Sequence, residues 1–250
     1  MTAEFRTGIG ISDADSITLM GRDLASELMG KVTLTELAFL MVQGREPTPE
    51  QARMLDTVLV SLADHGLTPI VLSARLTYTG APESIQGAMA AGLLGAGSVF
   101  LGVVEDTARF LDAVLASDGD AGAAVAARLA AGRRVPGLGH PVHKVEDPRT
   151  PRMYAIAEET GQLGPHLELL REVAAAHREQ TGRALPVNGA GVAGAALADL
   201  GFPPALLRGF ALLARTAGLL GHLAEEMRDP IGMALYRDTE ERATYDPPPR

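Results

Sequence analysis

The residues best suited to chemistry lie in one short segment, residues 135–149, which reads VPGLGHPVHKVEDPR. The segment holds two glycines, two histidines, a lysine and an Asp-Pro-Arg turn, and it separates two runs with helical periodicity. Glycine lets a backbone approach a ligand closely, histidine exchanges protons near neutral pH, and arginine grips carboxylates or phosphates with a planar fork. This combination predicts a ligand-binding loop.

Two further places in the sequence carry candidate functional groups. His65 ends an amphipathic helical pattern, where an imidazole can also serve only as a favourable charge at a helix end. Arg215 lies inside the apolar run FALLARTAGLLGHL, where a charge buried without a partner is strongly unfavourable. We therefore expect Arg215 to face an anionic partner or an anionic ligand.

The elements that must position these groups are predicted to be helices. Gly30 and Gly44 close the first two patterns, and Thr48 before Pro49 is suited to be an N-cap. No alternating stretch is long enough for a sheet, and the proline-rich tail at 244–250 is predicted to be extended. These patterns predict an all-α fold with helices at 13–30, 33–44, 49–65, 68–79, 83–96, 103–117, 151–161, 165–181 and 203–227, while 121–132 is rich in alanine and 188–200 is rich in small residues.

Composition narrows the class of protein. The 250 residues suit one large domain, or a large domain with a smaller lobe, and 46% hydrophobic with 4% aromatic residues favours closely packed Ala, Leu, Val and Met. A net charge of −9 argues against nucleic-acid binding. No apolar run approaches the ~20 residues that span a bilayer, and the first residues lack signal-peptide character. The absence of cysteine fits a cytoplasmic protein.

Several motifs together resemble one known family. The segment GLGHPVHKVEDPR resembles the G-x-G-H-x-V-x-K-x-x-D-P-R loop of the citrate synthase superfamily. The segments Asp64-His-Gly66, Ala214–His222 and Leu235-Tyr-Arg237 are similar to other motifs of that family, in the same order, from about residue 20 to 240. The long N-terminal extension of true citrate synthases is missing. The chain therefore resembles the short form, citryl-CoA lyase and the C-terminal module of ATP-citrate lyase.

The resemblance implies an architecture. It implies a citrate synthase-like helical fold with a large domain made of residues 1–107 and 206–250, and a small lobe of residues 108–205 that carries the loop. It also implies a two-fold homodimer, or a multiple of one, because Arg237 would complete the site of the partner subunit. Neither a nucleic acid nor a membrane is an expected partner.

The resemblance also implies roles for individual residues in cleaving a citryl-CoA-like thioester. His140 would serve the proton of the reacting oxygen, and His65 would contact the substrate, with Asp64 as its orienting group. The substrate carboxylates would be held by Arg149, Arg215 and Arg237. A coenzyme A thioester, the implied substrate, would bind at Gly137, Gly139, His143 and Lys144, with Arg133 or Arg134 as helpers.

The remaining histidines are given structural roles. His222 is predicted to pack between helices, and His166 and His177, on polar helices, are predicted to face solvent. The six histidines do not form an H-x-x-x-H pair on a common helical face, so no metal site is predicted.

Two departures from the family pattern bear on activity. Citrate synthases carry a histidine before a Gly-Gly pair. Phe100 stands at that place here, and the ATP-citrate lyase module also has a phenylalanine there. Ala190 stands where the family has the aspartate that exchanges the α-proton of the thioester. Asp199 lies more than two helical turns further on, too far to substitute simply. Three interpretations stay open: a carbon–carbon lyase with an altered substrate, a catalytically weak binding paralogue, and a helical scaffold.

Overall fold

The computed structural model describes residues 5–117 and 119–247. Within these ranges the chain is mainly helical, as predicted, and the helices carry most of the buried residues. Their bounds are α1 Leu34–Gln43, α2 Pro49–Leu62, α3 Pro69–Gly80, α4 Ile85–Leu94, α5 Gly102–Leu115, α6 Ala121–Ala130, α7 Arg149–Glu159, α8 Pro165–Thr181, α9 Gly189–Asp199, α10 Pro204–Arg228 and α11 Gly232–Arg242.

Helix ends follow local side-chain chemistry. Thr48 caps α2, as predicted, by accepting the Gln51 N–H while the Gln51 side chain accepts the Thr48 N–H. Such a reciprocal pair satisfies two backbone donors that the first turn leaves free. Gly44 ends α1 with a left-handed φ of 69°, a conformation that glycine adopts without strain.

The predicted helix at 13–30 is wrong. The structure has three short antiparallel strands there, β1 Gly10–Ser12, β2 Ile17–Leu19 and β3 Arg22–Asp23, followed by a π-helix at Leu24–Leu28. The Asp13 carboxylate accepts N–H groups from Asp15 and Ser16 and fixes the first turn. Met20 and Gly21, both with positive φ, form the two-residue turn between β2 and β3. Side-chain-to-backbone bonds and turn geometry outweigh the helical spacing here.

The C-terminal region holds a second difference. The sequence patterns do not predict helix α11, because its apolar residues are few and mostly exposed. It is tied to α10 by Glu226, whose buried carboxylate accepts N–H groups from Ile231 and Gly232 and pairs with Arg75. Residues 243–247 have no regular structure, and the rest of the predicted extended tail lies outside the described residues.

Glycines bring α5, the 133–147 loop and α9 unusually close together. A Cβ on Gly191 would come within 2.5 Å of the Gly137 Cα, and one on Gly194 within 2.3 Å of the Val104 carbonyl oxygen. Gly137 itself has a φ of +83°. The small residues of 188–200 are therefore a packing requirement that places the loop against the start of α9.

Helix α10 crosses the molecule and approaches the α2–α3 connection closely. A Cβ on Gly218 would lie 2.0 Å from the Ala63 carbonyl oxygen, so only glycine permits this crossing. The buried residues form one continuous cluster, and the division into domains at 1–107 with 206–250 and at 108–205 stays a prediction. No helix in the described ranges is long and apolar enough to cross a membrane.

Candidate functional site

A cavity of about 1100 Å³ collects most of the predicted site residues. Its wall is formed by the end of α2, most of α5, one face of α6, the loop, the start of α9 and the middle of α10. Six predicted site residues line this cavity, namely His65, Gly137, Gly139, His140, Arg149 and Arg215. His143, Lys144 and Arg237 do not line it.

His140 is held in one orientation by its own loop. Its Nδ1 accepts the N–H of Val142 at 3.1 Å and the N–H of His143 at 3.0 Å. An acceptor nitrogen carries no proton, so the neutral ring has its hydrogen on Nε2. Burial, with the nearby charges of His143, Arg149 and His65, lowers the pKa of His140 against the opposing effect of Asp147. His140 therefore presents an Nε2–H donor at neutral pH.

His143 and Lys144, the two predicted cofactor-binding residues that follow His140, both contact His140 itself. The His143 ring stacks on the His140 ring with centroids 4.5 Å apart. The Lys144 ammonium donates to the His140 carbonyl oxygen at 3.1 Å. Both side chains thus stabilise the loop conformation by contacts within the chain.

Arg149, the first residue of α7, is bound by a buried aspartate that the sequence indicates only as part of a turn. Its Nη2 donates to Asp147 Oδ2 at 2.7 Å and its Nε to Oδ1 at 3.0 Å. Asp147 Oδ2 also accepts the N–H of Gly189, which begins α9. Burial raises the pKa of Asp147, but these bonds outweigh it and lower the pKa to about 2. Asp147 is therefore a charged clasp between the loop and α9.

Arg215 has a very different environment. It is 3% exposed on α10, and its Nε and Nη1 have no hydrogen-bond partner among residues 5–117 and 119–247. Burial lowers the pKa of Arg215, and the Asp64 carboxylate opposes this effect without reaching hydrogen-bond distance. The sequence predicts a partner or a ligand for this residue. Since the described residues supply no such partner, the cavity that Arg215 lines is suited to receive an anion.

Asp64 does not orient His65 through a side-chain bond, contrary to the prediction. Its Oδ2 accepts the Gly66 N–H at 2.9 Å, and its Oδ1 contacts His222 Nε2 at 2.8 Å. Burial raises the pKa of Asp64, but these hydrogen bonds lower it overall. His222 on α10 thus has a polar link to the connection that carries His65. The exposed His65 ring lies 5.7 Å from the His140 ring, measured between centroids.

Ala190, at the place where the family pattern has an aspartate, belongs to the wall of the cavity. The neighbouring Gly189 must lack a side chain because a Cβ there would lie 2.2 Å from the Arg149 Cζ. Among the described residues the one carboxylate in the lining is Asp106 on α5. Asp147 is nearby, but both of its oxygens are already bonded. Within the described ranges, Asp147 is thus occupied by these bonds, and Asp106 is the remaining carboxylate of the cavity wall.

Three ligand-capable groups also lie close together in the loop. The atoms of His140, His143 and Asp147 that can bind a metal lie within 4.8 Å of one another. The Asp147 oxygens are bonded to Arg149 and Gly189, and the His140 Nδ1 accepts two backbone N–H groups. Because these atoms already take part in hydrogen bonds, the cluster is better suited to stabilising the loop than to binding a metal.

Two histidines predicted to face solvent do not. His166 is half-buried between Asp199 and Asp112, with Nδ1 at 2.8 Å and Nε2 at 2.7 Å from their carboxylates. Burial lowers the pKa of His166, but the two carboxylates raise it overall. His177 is 7% exposed. Asp199 also caps α8 through the His166 and Leu167 N–H groups, so it is not available to replace the missing aspartate.

Comparisons with known proteins agree with this fold. The profile of the family described as "Citrate synthase, C-terminal domain" matches residues 18–238, so the chain belongs to the citrate synthase family. The structure of citryl-CoA lyase from Hydrogenobacter thermophilus superposes with a TM-score of 0.90 at 31% identity, covering 98% of this chain and 96% of that one. The resemblance to the citrate synthase superfamily, and to its short form, is confirmed.

Two further proteins are also similar to this chain. The citrate synthase of Haloferax volcanii is 29% identical over 191 residues, which are 76% of this chain and 50% of that protein. ATP citrate lyase from Methanothrix soehngenii, solved with citrate and coenzyme A, has a TM-score of 0.85 at 23% identity, covering 100% of this chain and 42% of that one. The chain spans about half the length of the curated relatives it matches. At 23% identity, the likeness to the ATP citrate lyase structure supports the fold alone.

Proposed function

We propose that this protein is an acyl-CoA carbon–carbon lyase of the citryl-CoA lyase type that acts on a thioester other than citryl-CoA. The observation that carries the proposal is the buried Arg215, unpartnered within the described ranges, in the same cavity as His140 and His65. A cation held out of water with two free donors is costly unless an anion binds it. A scaffold with no ligand gains nothing from such an arrangement.

In the cleavage direction a tertiary alcohol becomes a carbonyl as the carbon–carbon bond breaks. The hydroxyl passes its proton to the imidazole of His65, which lines the same cavity, the electron pair of the broken bond passes to the acyl-CoA enolate, and the enolate carbon then takes a proton. His140 Nε2–H is placed to hydrogen-bond the reacting oxygen and to stabilise its negative charge. In the reverse direction the same donor polarises the carbonyl of the 2-oxo acid.

The carboxylates of the substrate require cations around that oxygen. Arg215 has two buried nitrogens without partners in the described ranges, while Arg149 offers the part of its guanidinium not occupied by Asp147 and by the Ser61 carbonyl oxygen. Arg237 is exposed on α11 and is proposed to enter the site of a second copy, which makes a homodimer the working unit. The thioester would lie along Gly137 and Gly139, where the absence of side chains lets the CoA portion approach the backbone closely, although the Gly139 N–H itself donates to the Pro186 carbonyl oxygen.

Protonation of the enolate carbon is the step that departs from the family pattern. Ala190 cannot supply it, and the space beside it suits an acyl group larger than acetyl or a water molecule. Asp106, the carboxylate of the lining, is the group proposed to substitute, directly or through water. Loss of a positioned acid or base typically costs ~10²–10⁴-fold in rate, so cleavage of citryl-CoA itself should be slow.

The experiment compares CoA thioesters across three proteins. Wild type should cleave citryl-CoA well below ~1 s⁻¹ and prefer a thioester with a larger acyl or keto portion. Ala190→Asp should raise citryl-CoA cleavage, and His140→Ala should lower turnover of the preferred substrate by ~10²-fold with folding intact. Cleavage of citryl-CoA by wild type at ordinary enzyme rates, or full activity in His140→Ala, would refute these assignments.

A second candidate function is a binding paralogue without catalysis, and the uncharged Ala190 favours it. This alternative predicts that CoA and dicarboxylates bind with heat in calorimetry but that no thioester is cleaved. It also predicts that Ala190→Asp binds CoA normally and gains no activity. Absence of binding by either ligand at millimolar concentration would contradict both functions.

A further inference from the structure

The His65 ring is placed in the cavity by its backbone alone. It lies in the connection between α2 and α3, residues 63–68, and its side chain makes no hydrogen bond within residues 5–117 and 119–247. The aromatic contact of the ring in these ranges is with His140, at 5.7 Å between centroids. Catalytic groups need geometry held to about 0.5 Å. The contacts that fix the connection therefore decide how precisely the His65 ring is placed.

The Asp64 carboxylate fixes the backbone on both sides of His65. Its Oδ2 accepts the Gly66 N–H at 2.9 Å, so the carboxylate spans the residue between them. Gly66 has a φ of +70°, a left-handed conformation that glycine adopts without strain. The other oxygen, Oδ1, lies 2.8 Å from His222 Nε2 on α10. Because a carboxylate only accepts hydrogen bonds, His222 Nε2 carries the hydrogen and donates it.

Helix α10 contacts this connection at two successive turns. A Cβ on Gly218 would lie 2.0 Å from the Ala63 carbonyl oxygen, so the backbones touch there. His222 follows one turn later on the same face of the helix and reaches the Asp64 carboxylate. Arg215 lies three residues before Gly218, on that face as well. One face of α10 therefore places both Arg215 and the α2–α3 connection.

The hydrogen bond of His222 is better suited to fixing geometry than to stabilising the fold. Its Nδ1 is buried and has no partner in the described ranges, since Glu225 Oε2, 3.7 Å away, is bonded to Arg75. The Asp64 side chain is 53% exposed, so its pair with His222 should add little to the free energy of unfolding. Among the described residues, the bond of this imidazole thus goes to the residue beside His65.

We propose that His222 is a positioning residue for His65 and acts through the Asp64 carboxylate. The catalytic part of this inference rests on the proposed function, in which His65 takes the hydroxyl proton. The bonds from His222 to Asp64 and from Asp64 to Gly66 hold the connection, and they keep the His65 ring close enough to His140 for one oxygen atom to reach both. Loss of the first bond displaces His65 and leaves the arginines of the cavity in place.

Nuclear Overhauser contacts between histidine ring protons test the positioning without a substrate. The chain has six histidines, and the variants His65→Gln and His140→Ala identify the resonances of the two rings. Wild type should show a contact between them. His222→Phe keeps a ring but removes the donor, and it should weaken this contact at least about twofold. His222→Gln places an amide N–H near the position of Nε2 and should restore the contact.

His166→Phe is the matched control. His166 also contacts carboxylates of other helices, Asp112 on α5 and Asp199 on α9, so its loss should lower stability. The contact between the His65 and His140 rings should nevertheless stay as in wild type. If both phenylalanine variants lose the contact, general destabilisation explains the effect and the proposal is overturned.

Steady-state kinetics with the preferred thioester separates this inference from the proposed function. His222→Phe should lower kcat about tenfold or more and leave KM within about twofold, because Arg149 and Arg215 still bind the substrate. His222→Gln should recover most of kcat. If wild type cleaves no thioester, the proposed function fails, and the ring contact still decides the positioning.

Three results would overturn the role of His222. The first is the absence of a contact between the His65 and His140 rings in wild type. The second is a His222→Phe variant that leaves unchanged either the contact or the kcat of an active wild type. The third is a His222→Gln variant that restores neither, because the donor would then not be the cause of the effect.

Discussion

Two arginines line the same cavity and differ in almost every other respect. Arg149 sits at the start of α7, partly exposed, with its charge balanced by the fully buried Asp147. Arg215 sits in the middle of α10, nearly inaccessible, with two nitrogens that lack partners in the described ranges. The first is a finished structural link, whereas the second is incomplete without a ligand.

This difference separates stability from binding within one site. Asp147 joins the loop, Arg149 and the first turn of α9, so its ion pair contributes to folding whether or not a ligand is bound. Arg215 contributes nothing comparable to the empty protein, since it has been desolvated without compensation. The two residues should therefore respond in opposite directions to the same neutral substitution.

Arg149→Met should have the largest effect. It leaves the Asp147 charge buried with only backbone donors, and we expect the free energy of unfolding to fall by about 3 kcal/mol in urea titrations. The double variant Asp147→Asn with Arg149→Met should regain part of this loss, because the buried charge is gone. A loss below about 0.5 kcal/mol for the single variant would mean that the clasp is not structural.

The loss of stability at acid pH should also depend on Asp147, the loop residue that pairs with Arg149. The pKa of Asp147 falls from an ordinary 3.8 to about 2 on folding, so its contribution is complete above the ordinary value and is lost as the pH drops towards 2. This lowering corresponds to about 2 kcal/mol. Urea unfolding of wild type should therefore weaken more between pH 5 and pH 3 than that of Asp147→Asn. Parallel pH profiles for the two proteins would contradict the low pKa.

Arg215→Met should do the reverse of Arg149→Met. Removing an unpaired buried charge while keeping side-chain volume should raise the free energy of unfolding of the empty protein by about 1–2 kcal/mol. The same variant should no longer bind a dicarboxylate such as oxaloacetate in calorimetry. Destabilisation of the empty protein would reveal a partner for Arg215 and would remove the distinction between the two arginines.

Lys144→Ala should change stability least. The ammonium is exposed and makes one bond to the His140 carbonyl oxygen, so unfolding should change by less than about 0.5 kcal/mol. The affinity for CoA should nevertheless fall about tenfold, because in wild type the ammonium would turn to a phosphate of the bound ligand. Unchanged CoA affinity by calorimetry would restrict Lys144 to supporting the loop.

The sequence was most informative where local chemistry and global packing agree. Most helices between residues 33 and 228, the cap at Thr48 and the burial of Arg215 follow from periodicity and from the cost of an isolated charge. The strands at 10–23 escape such reasoning because their signals are two turns, an Asp13 side-chain turn and a Met20-Gly21 turn, inside an apparently helical pattern. Hydrogen bonding sets the conformation of these residues, and spacing does not.

The sequence predicts which residues line the candidate site better than it predicts the hydrogen bonds that these residues make. His65, His140, Arg149 and Arg215 do meet in one cavity. The partners of Asp64 and of Asp147 depend on contacts with α10 and α9, which are remote in sequence, so no local pattern indicates them. The Asp-Pro-Arg turn is the one available signal for Asp147.

The glycines of the loop also limit how this protein can change over evolutionary time or in a laboratory selection. Gly137 meets Gly191 at the backbone, and both Gly137 and Gly139 hold positive φ, so neither position of the loop tolerates a larger residue. Diversity in substrate preference must therefore accumulate in the surrounding walls. A mutant library confined to Val103 and Phe110 would vary the shape of the pocket while leaving the chemistry in place.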